Sequence, residues 1–365
     1  MTVKIAVIGG GSSMFVPGLV RRLVELPCFE GAELRLMDID EARLATMHVL
    51  SSHLAGSSGR QLNVVATTNQ REALTGADFV IVAISVGGMA AWASDIEVPA
   101  RYGIFMHIAD SVGPGGINHC TGIFTLRLTD GRDAIPLVRE RTDDEITRWA
   151  IDTFGVIPYC WAHWIEFFPQ LQRLEEAYTG RAQGLAMRYG RRIYDMDSQL
   201  QRIRTWDELA SAWSAASGPR HLSDLPPGPE DEGIVVAEVM QSVVEDRRDL
   251  FVVNVLNHGG LIGNLPASAA VEVPAIIDGQ GVHPVGIPDL PPGLAATLSL
   301  HAQVQSMTMQ CALTGDRGLL RQVILTDPLV AATLEPHQAD ILTDELLEVN
   351  ARYLPQFTTL KVGAA

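Results

Sequence analysis

Residues 4–14 read KIAVIGGGSSM, and this run decides the fold. Lys4–Ile8 is a short apolar segment with β-branched residues, the pattern of a strand buried on both faces. It passes directly into Gly9-Gly10-Gly11-Ser12-Ser13-Met14, and a helical pattern over 17–26 follows. A glycine-rich turn between strand and helix lets the backbone approach a pyrophosphate. The helix N-terminus behind it offers unpaired N–H groups and a favourable dipole. Gly9, Gly10, Gly11, Ser12, Ser13 and Met14 are therefore candidate cofactor-binding residues. Met14 stands where GxGxxG has its third glycine, so the turn by itself also fits a ligand-free strand-to-helix connection, and the surrounding context decides.

That context lies further along the chain. A second strand over 33–37 ends in Asp38-Ile39-Asp40. An acidic side chain at this tip can accept hydrogen bonds from an adenosine ribose, and Asp38 is the candidate. Its charge favours NAD over NADP, whose extra phosphate it repels. A third strand is expected over 62–67 and a fourth over 77–84, the latter ending in Ser85-Val86-Gly87-Gly88. Ser85, Val86 and Gly87 join the cofactor candidates because small residues there let backbone lie near a ligand. The fold class is α/β: a shortened Rossmann-type parallel sheet followed by a mixed, largely helical α+β substrate domain. Helix spacing is also present over 231–244, and 294–313 reads as a long, mostly buried helix. Residues 222–232, rich in Pro, Asp and Glu, read as a surface loop.

The 365 residues are 47% hydrophobic, enough for a well-buried core. A net charge of −16 argues against a nucleic-acid surface, which needs clustered Lys and Arg. The four cysteines, Cys28, Cys120, Cys160 and Cys311, are far apart and lack CxxC spacing, which fits reduced thiols in a cytoplasmic protein. Neither a signal peptide nor a membrane-length apolar run is evident.

VIGGGSS at 7–13, LMDID at 36–40, ADFVIVAISVGG at 77–88 and SDIEVPARYGI leading to DSVGPGG at 110–116 resemble glycoside hydrolase family 4. INHCTGIF at 117–124, HWIEFFP at 163–169, VVNVLNHGGLIGNLP at 252–266, VEVPA at 271–275 and LTDPLV at 325–330 extend the resemblance over most of the chain. Within the family, the sequence is most similar to the α-galacturonidase and α-glucuronidase branch. The resemblance implies an NAD-dependent exception to two-carboxylate glycoside hydrolysis. NAD⁺ takes hydride from C3 of the sugar, a base removes the acidified C2 proton, the leaving group departs, water adds at C1 and the hydride returns. A divalent metal, usually Mn²⁺, acts as the Lewis acid.

The resemblance also implies site residues. His119 matches a metal-ligand histidine, and Asp110 matches the acidic residue that precedes GPGG. Asn118, His163, Glu166 and His258 match substrate-side positions. One departure matters: Gly116 runs straight into Ile117-Asn118-His119, where the family has a long segment carrying two more sheet strands, an Asn-Pro turn and a metal-ligand cysteine. Cys120 would point away from His119 on an extended strand, whereas Cys160 is a candidate replacement. Tyr159 is a base candidate by residue type, or else a packed aromatic.

The expected organisation is a nucleotide-binding domain over 1–116 and a substrate domain over 117–365. Loss of the last two strands would leave Phe79–Ile84 as an open apolar edge, which the second domain or a partner subunit is expected to cover. Three functions are expected: the NAD- and metal-dependent hydrolase acting on a small-molecule glycoside, as a dimer or tetramer; a catalytically impaired relative that keeps the fold; or a sugar dehydrogenase with net NADH production.

Overall fold

A computed structural model describes residues 2–104, 123–124, 135–142, 145–158, 167–169, 196–215 and 232–358. The chain divides into two compact units. The first comprises Met1–Ser85, Asp195–Phe251 and Ala275–His283; the second comprises Val86–Tyr194, Val252–Pro274 and Pro284–Ala365. The boundary expected at residue 116 lies outside the described residues.

The first unit begins as the opening sequence predicts. β1 is Lys4–Ile8, α1 Val16–Glu25, β2 Glu33–Met37, α2 Glu41–Ser57, β3 Asn63–Thr67, α3 Gln70–Leu74 and β4 Phe79–Val82. The four strands form one parallel sheet in the order β3-β2-β1-β4, with Ile5 opposite both Leu34 and Phe79. β1 is central and covered on both faces, so Ile5, Ala6, Val7 and Ile8 are all buried.

Ile5, Val7, Leu34 and Leu36 pack with Leu19 and Leu23 of α1 and with Met47, Leu50 and Leu54 of α2. On the other face lies a smaller cluster of Ile8, Met37 and Ala73, the last from α3. β4 therefore has unequal faces. Phe79 and Ile81 pack on the main core, whereas Val80, Val82 and, just beyond the strand, Ile84 are 51%, 64% and 62% exposed.

The second unit begins with α4 (Gly88–Ala100), β5 (Ile123–Phe124), α5 (Ile135–Arg141), α6 (Glu145–Phe154) and β6 (Ile157–Pro158). α7 (Met196–Ala215) and α8 (Glu232–Glu245) return the chain to the first unit, α7 packing on α2 and α8 on α1. Trp206 and Trp213 of α7 and Met240 of α8 complete its main core. β7 (Asp249–Leu256), β8 (Ala270–Asp278) and β9 (Gly281–Pro284) form a three-stranded sheet in that order.

α9 (Pro292–Thr314), α10 (Arg317–Thr326), α11 (Pro328–Thr333) and α12 (Pro336–Val349) follow in the second unit. One of its cores joins Val98 and Ile104 to Leu329, Val330, Ala339 and Leu342. Another joins Phe167 and Phe168 to Val271, Val273, Leu294 and Leu298. α9 is buried along one stripe only, so the expectation of a mostly buried helix is corrected: Leu300, Met309 and Leu313 are exposed. No described helix is long and apolar enough to cross a membrane.

Candidate functional site

The glycine turn is tied to the sheet on two sides. Gly9 N–H and Gly10 N–H both donate to the Met37 carbonyl, at 2.9 and 2.7 Å, which fixes the turn against the end of β2. Gly9 has φ +92°, and a Cβ there would stand 2.0 Å from the Ala83 carbonyl oxygen just past β4. A Cβ on Gly10 would lie 2.7 Å from the Met37 nitrogen. These two glycines thus let the backbone thread between the ends of three strands. Ser12 N–H donates to the Gly9 carbonyl and Val16 N–H to the Ser12 carbonyl, leading the chain into α1. Phe15 at its N-cap supplies no side-chain cap and Pro17 lies in its first turn, while the Ser12 hydroxyl accepts from the Phe15 N–H at 3.4 Å. Ser13 is buried and Met14 lies at the surface of the turn.

The two aspartates that end LMDID have separate roles. Asp40 is the N-cap of α2, its Oδ1 accepting from Ala42 N–H and Arg43 N–H at 3.1 and 3.0 Å. Asp38 faces the glycine turn instead. Its Oδ2 accepts from Gly11 N–H at 2.9 Å and its Oδ1 from Asp40 N–H at 3.0 Å. Each carboxylate oxygen has a second lone pair, so Asp38 is held in place and can still accept further donors. Ser85 is exposed in the first unit, two residues past Ala83. Val86 and Gly87 begin the second unit, where Gly87 (φ +78°) caps α4. A Cβ on Gly87 would meet the Tyr353 ring at 2.7 Å.

His258 is exposed in a turn after β7, and the fully buried Asn257 organises that turn. Asn257 Nδ2 donates to the carbonyls of Ile262 and Leu265, each at 3.0 Å, while its Oδ1 accepts from Ile262 N–H at 2.9 Å. His301 is buried in α9 and donates from Nε2 to the Phe167 carbonyl at 3.1 Å, which fixes its tautomer. Burial pushes its pKa below the usual value, so it is a neutral anchor for the chain next to Glu166. Asp110, Asn118, His119, Cys120, Tyr159, Cys160, His163 and Glu166 lie outside the described residues. Among the described residues, no group of three or more His, Cys, Asp or Glu side chains could hold a metal ion.

The structure thus brings Gly9, Gly10, Gly11 and Asp38 together, as the sequence predicts. Beside them in the first unit it places Arg43, which a Cβ on Gly11 would meet at 2.6 Å; within the second unit, Tyr353 lies against Gly87, Asn257 holds the turn of His258, and His301 holds the Phe167 carbonyl. A basic residue in the first turn of α2 was the only sequence signal for Arg43, since it opposes the helix dipole. Tyr353 is far from Gly87 in sequence and carried no signal.

The family 4 glycosyl hydrolase model matches residues 4–125, and the C-terminal domain model of the same family matches residues 115–330. An alpha-galactosidase of Rhizobium meliloti is 24% identical over 455 aligned positions, covering 97% of this chain and 89% of the relative. An alpha-galacturonidase of Bacillus subtilis is 24% identical, covering 95% of this chain and 97% of its own. Both alignments are longer than the 365 residues of this chain, so the relatives carry positions with no counterpart here.

In fold, the chain is similar to a 6-phospho-alpha-glucosidase from gut microorganisms in complex with NAD and glucose-6-phosphate (TM-score 0.78, 18% identity, 98% and 99% of the two chains). A structure of a 6-phospho-alpha-glucosidase from the same source, in complex with NAD and Mn²⁺, gives a TM-score of 0.76 at 16% identity, covering 98% of this chain and 100% of the other. With the parallel sheet, the glycine turn and Asp38 in their expected places, and both family models matched in order along the sequence, the chain belongs to family 4 of the glycosyl hydrolases.

Proposed function

We propose that this protein is an NAD- and divalent-metal-dependent glycosidase that cleaves an α-linked uronide. The reaction is transient oxidation at C3, loss of the C2 proton, elimination of the leaving group and addition of water. One observation carries the nucleotide part: the Asp38 carboxylate at the end of β2, held by the Gly11 N–H of a glycine turn that opens onto a helix N-terminus without a side-chain cap. That geometry fits a dinucleotide, with Gly9, Gly10, Gly11, Ser12, Ser13 and Met14 along the pyrophosphate and Asp38 accepting the ribose hydroxyls. Ser85, Val86 and Gly87 form the rest of the cofactor set. NAD, when bound, supplies a hydride acceptor that is regenerated in each turnover. The Bacillus relative named alpha-galacturonidase supports the uronide as substrate.

His119 is the proposed metal ligand, and the metal, when bound, supplies Lewis acidity at the sugar oxygens. Asp110 and Tyr159 are the proposed catalytic residues. Asn118, His163, Glu166 and His258 are proposed to position the small-molecule substrate, His258 from a turn that Asn257 makes rigid. A cytoplasmic homo-oligomer with no nucleic-acid or membrane partner completes the proposal.

The test is cleavage of a panel of aryl α- and β-glycosides and uronides by the purified chain with NAD⁺ and Mn²⁺. Release of the aryl group should require both additions, without a build-up of NADH. Asp38→Ala should raise the NAD⁺ concentration needed for half-maximal rate roughly tenfold, as expected for losing hydrogen bonds to a charged acceptor. Release without NAD⁺ would refute the proposal, and stoichiometric NADH with an oxidised sugar would make the protein a dehydrogenase. A second reading is favoured by the extra positions of the relatives: a family member that keeps the fold and nucleotide site but has lost turnover.

A further inference from the structure

Arg43 is a basic side chain beside the proposed ribose site. It lies in the first turn of α2, five residues past Asp38, and its Cβ is in the tightest contact that a Cβ on Gly11 would make. The same Gly11 donates its N–H to Asp38. Arg43 therefore borders the position where a ribose 2′-substituent would sit if Asp38 holds the ribose. A guanidinium there would be a natural phosphate partner, since its fork of donors matches phosphate oxygens. Yet Arg43 is already engaged. Its Nη1 donates to both carboxylate oxygens of Asp207 on α7, each at 3.1 Å, and the Thr46 hydroxyl donates to Asp207 Oδ1 at 3.3 Å. The two side chains are 34% and 43% exposed, so the pair stands at the surface, where such pairs contribute little to stability.

We propose that Asp207 is a specificity-determining residue that acts through Arg43. By neutralising and orienting the guanidinium, it denies the 2′-phosphate of NADP this cation, while Asp38 repels that phosphate directly. The inference rests on the proposed reading of the turn as an NAD site. It makes NAD preference the product of two carboxylates from distant parts of the chain, one of them on α7.

Affinities of NAD⁺ and NADP⁺ should be measured by calorimetry for the wild type, Asp207→Ala, Asp207→Asn and Asp207→Ala/Arg43→Gln, with circular dichroism as the check on folding. Both single variants should bind NADP⁺ roughly tenfold more tightly relative to NAD⁺, the gain expected from a freed charge-assisted bond. The double variant should return to the wild-type ratio. A merely structural pair would weaken both nucleotides alike or neither. An unchanged ratio in folded single variants, or a gain that survives loss of Arg43, would overturn the inference. Failure of the wild type to bind either nucleotide would instead remove the NAD reading on which it stands.

Discussion

At the scale of single residues, close packing and buried charge set the sharpest constraints. Gly10 has no room for a side chain: a Cβ would press on the Met37 nitrogen at 2.7 Å and the Leu36 Cα at 2.8 Å. These are backbone atoms of β2 that cannot swing aside, so Gly10→Ala should destabilise the protein by about 1–3 kcal/mol, read as a lower urea midpoint. An unchanged midpoint would mean that the turn tolerates displacement.

Asp95, on α4, is a partly buried carboxyl. Burial pushes its pKa up to about 6, opposed by the Asn350 side-chain amide, which donates to it at 3.3 Å. The folded protein therefore holds this proton to higher pH than the unfolded chain does. The contribution of Asp95 to stability is fully present below about pH 4, the ordinary carboxylate range, and is lost as pH rises through about 6. Asp95→Asn keeps an acceptor for Asn350 and removes the charge. It should raise the thermal midpoint at pH 8 and lose that advantage below pH 4; a pH-independent difference would contradict the assignment.

At the scale of elements, much of the first unit was legible in the sequence. Lys4–Ile8 and Glu33–Met37 stand where the apolar runs put them, because a doubly covered parallel strand has a continuous apolar pattern. The division of labour within LMDID follows from helix geometry: Asp40 immediately precedes α2 and caps it, which leaves Asp38 for the turn. The long helix α9 is less buried than its sequence suggests because its apolar and small polar residues are spread around the helix, and such a distribution does not say which stripe finds a partner. The Arg43–Asp207 pair joins elements 164 residues apart, and no local pattern predicts which helix α7 will meet. Apart from His258, the metal, catalytic and substrate residues inferred by resemblance fall outside the described residues, so the nucleotide half of the candidate site is the part that the structure illuminates.

At the scale of the whole molecule, the order β3-β2-β1-β4 leaves β4 as an edge among the described residues. The exposed row of Val80, Val82 and Ile84 lies on its sheet face away from the main core. In a doubly wound sheet both faces are normally covered, and an exposed apolar edge invites association. The second domain or a partner subunit is the expected cover, and sedimentation tests for the partner. Val82→Lys should change stability by no more than about 0.5 kcal/mol, as exposed substitutions do, while shifting sedimentation towards smaller species. Unchanged sedimentation would mean that the row has no role in assembly.

Redox-assisted elimination on a sugar leaves an isotopic signature, and incorporation of solvent deuterium tests for it most directly. The protein would be incubated in D₂O with NAD⁺, Mn²⁺ and aryl uronides, and the released sugar examined by mass spectrometry. Cleavage with one deuterium at C2 is expected, because the proton removed there is replaced from solvent. Cleavage without deuterium at C2 would contradict the mechanism. A folded protein that gives neither cleavage nor exchange on any substrate would make it a family member that has kept its fold without its chemistry.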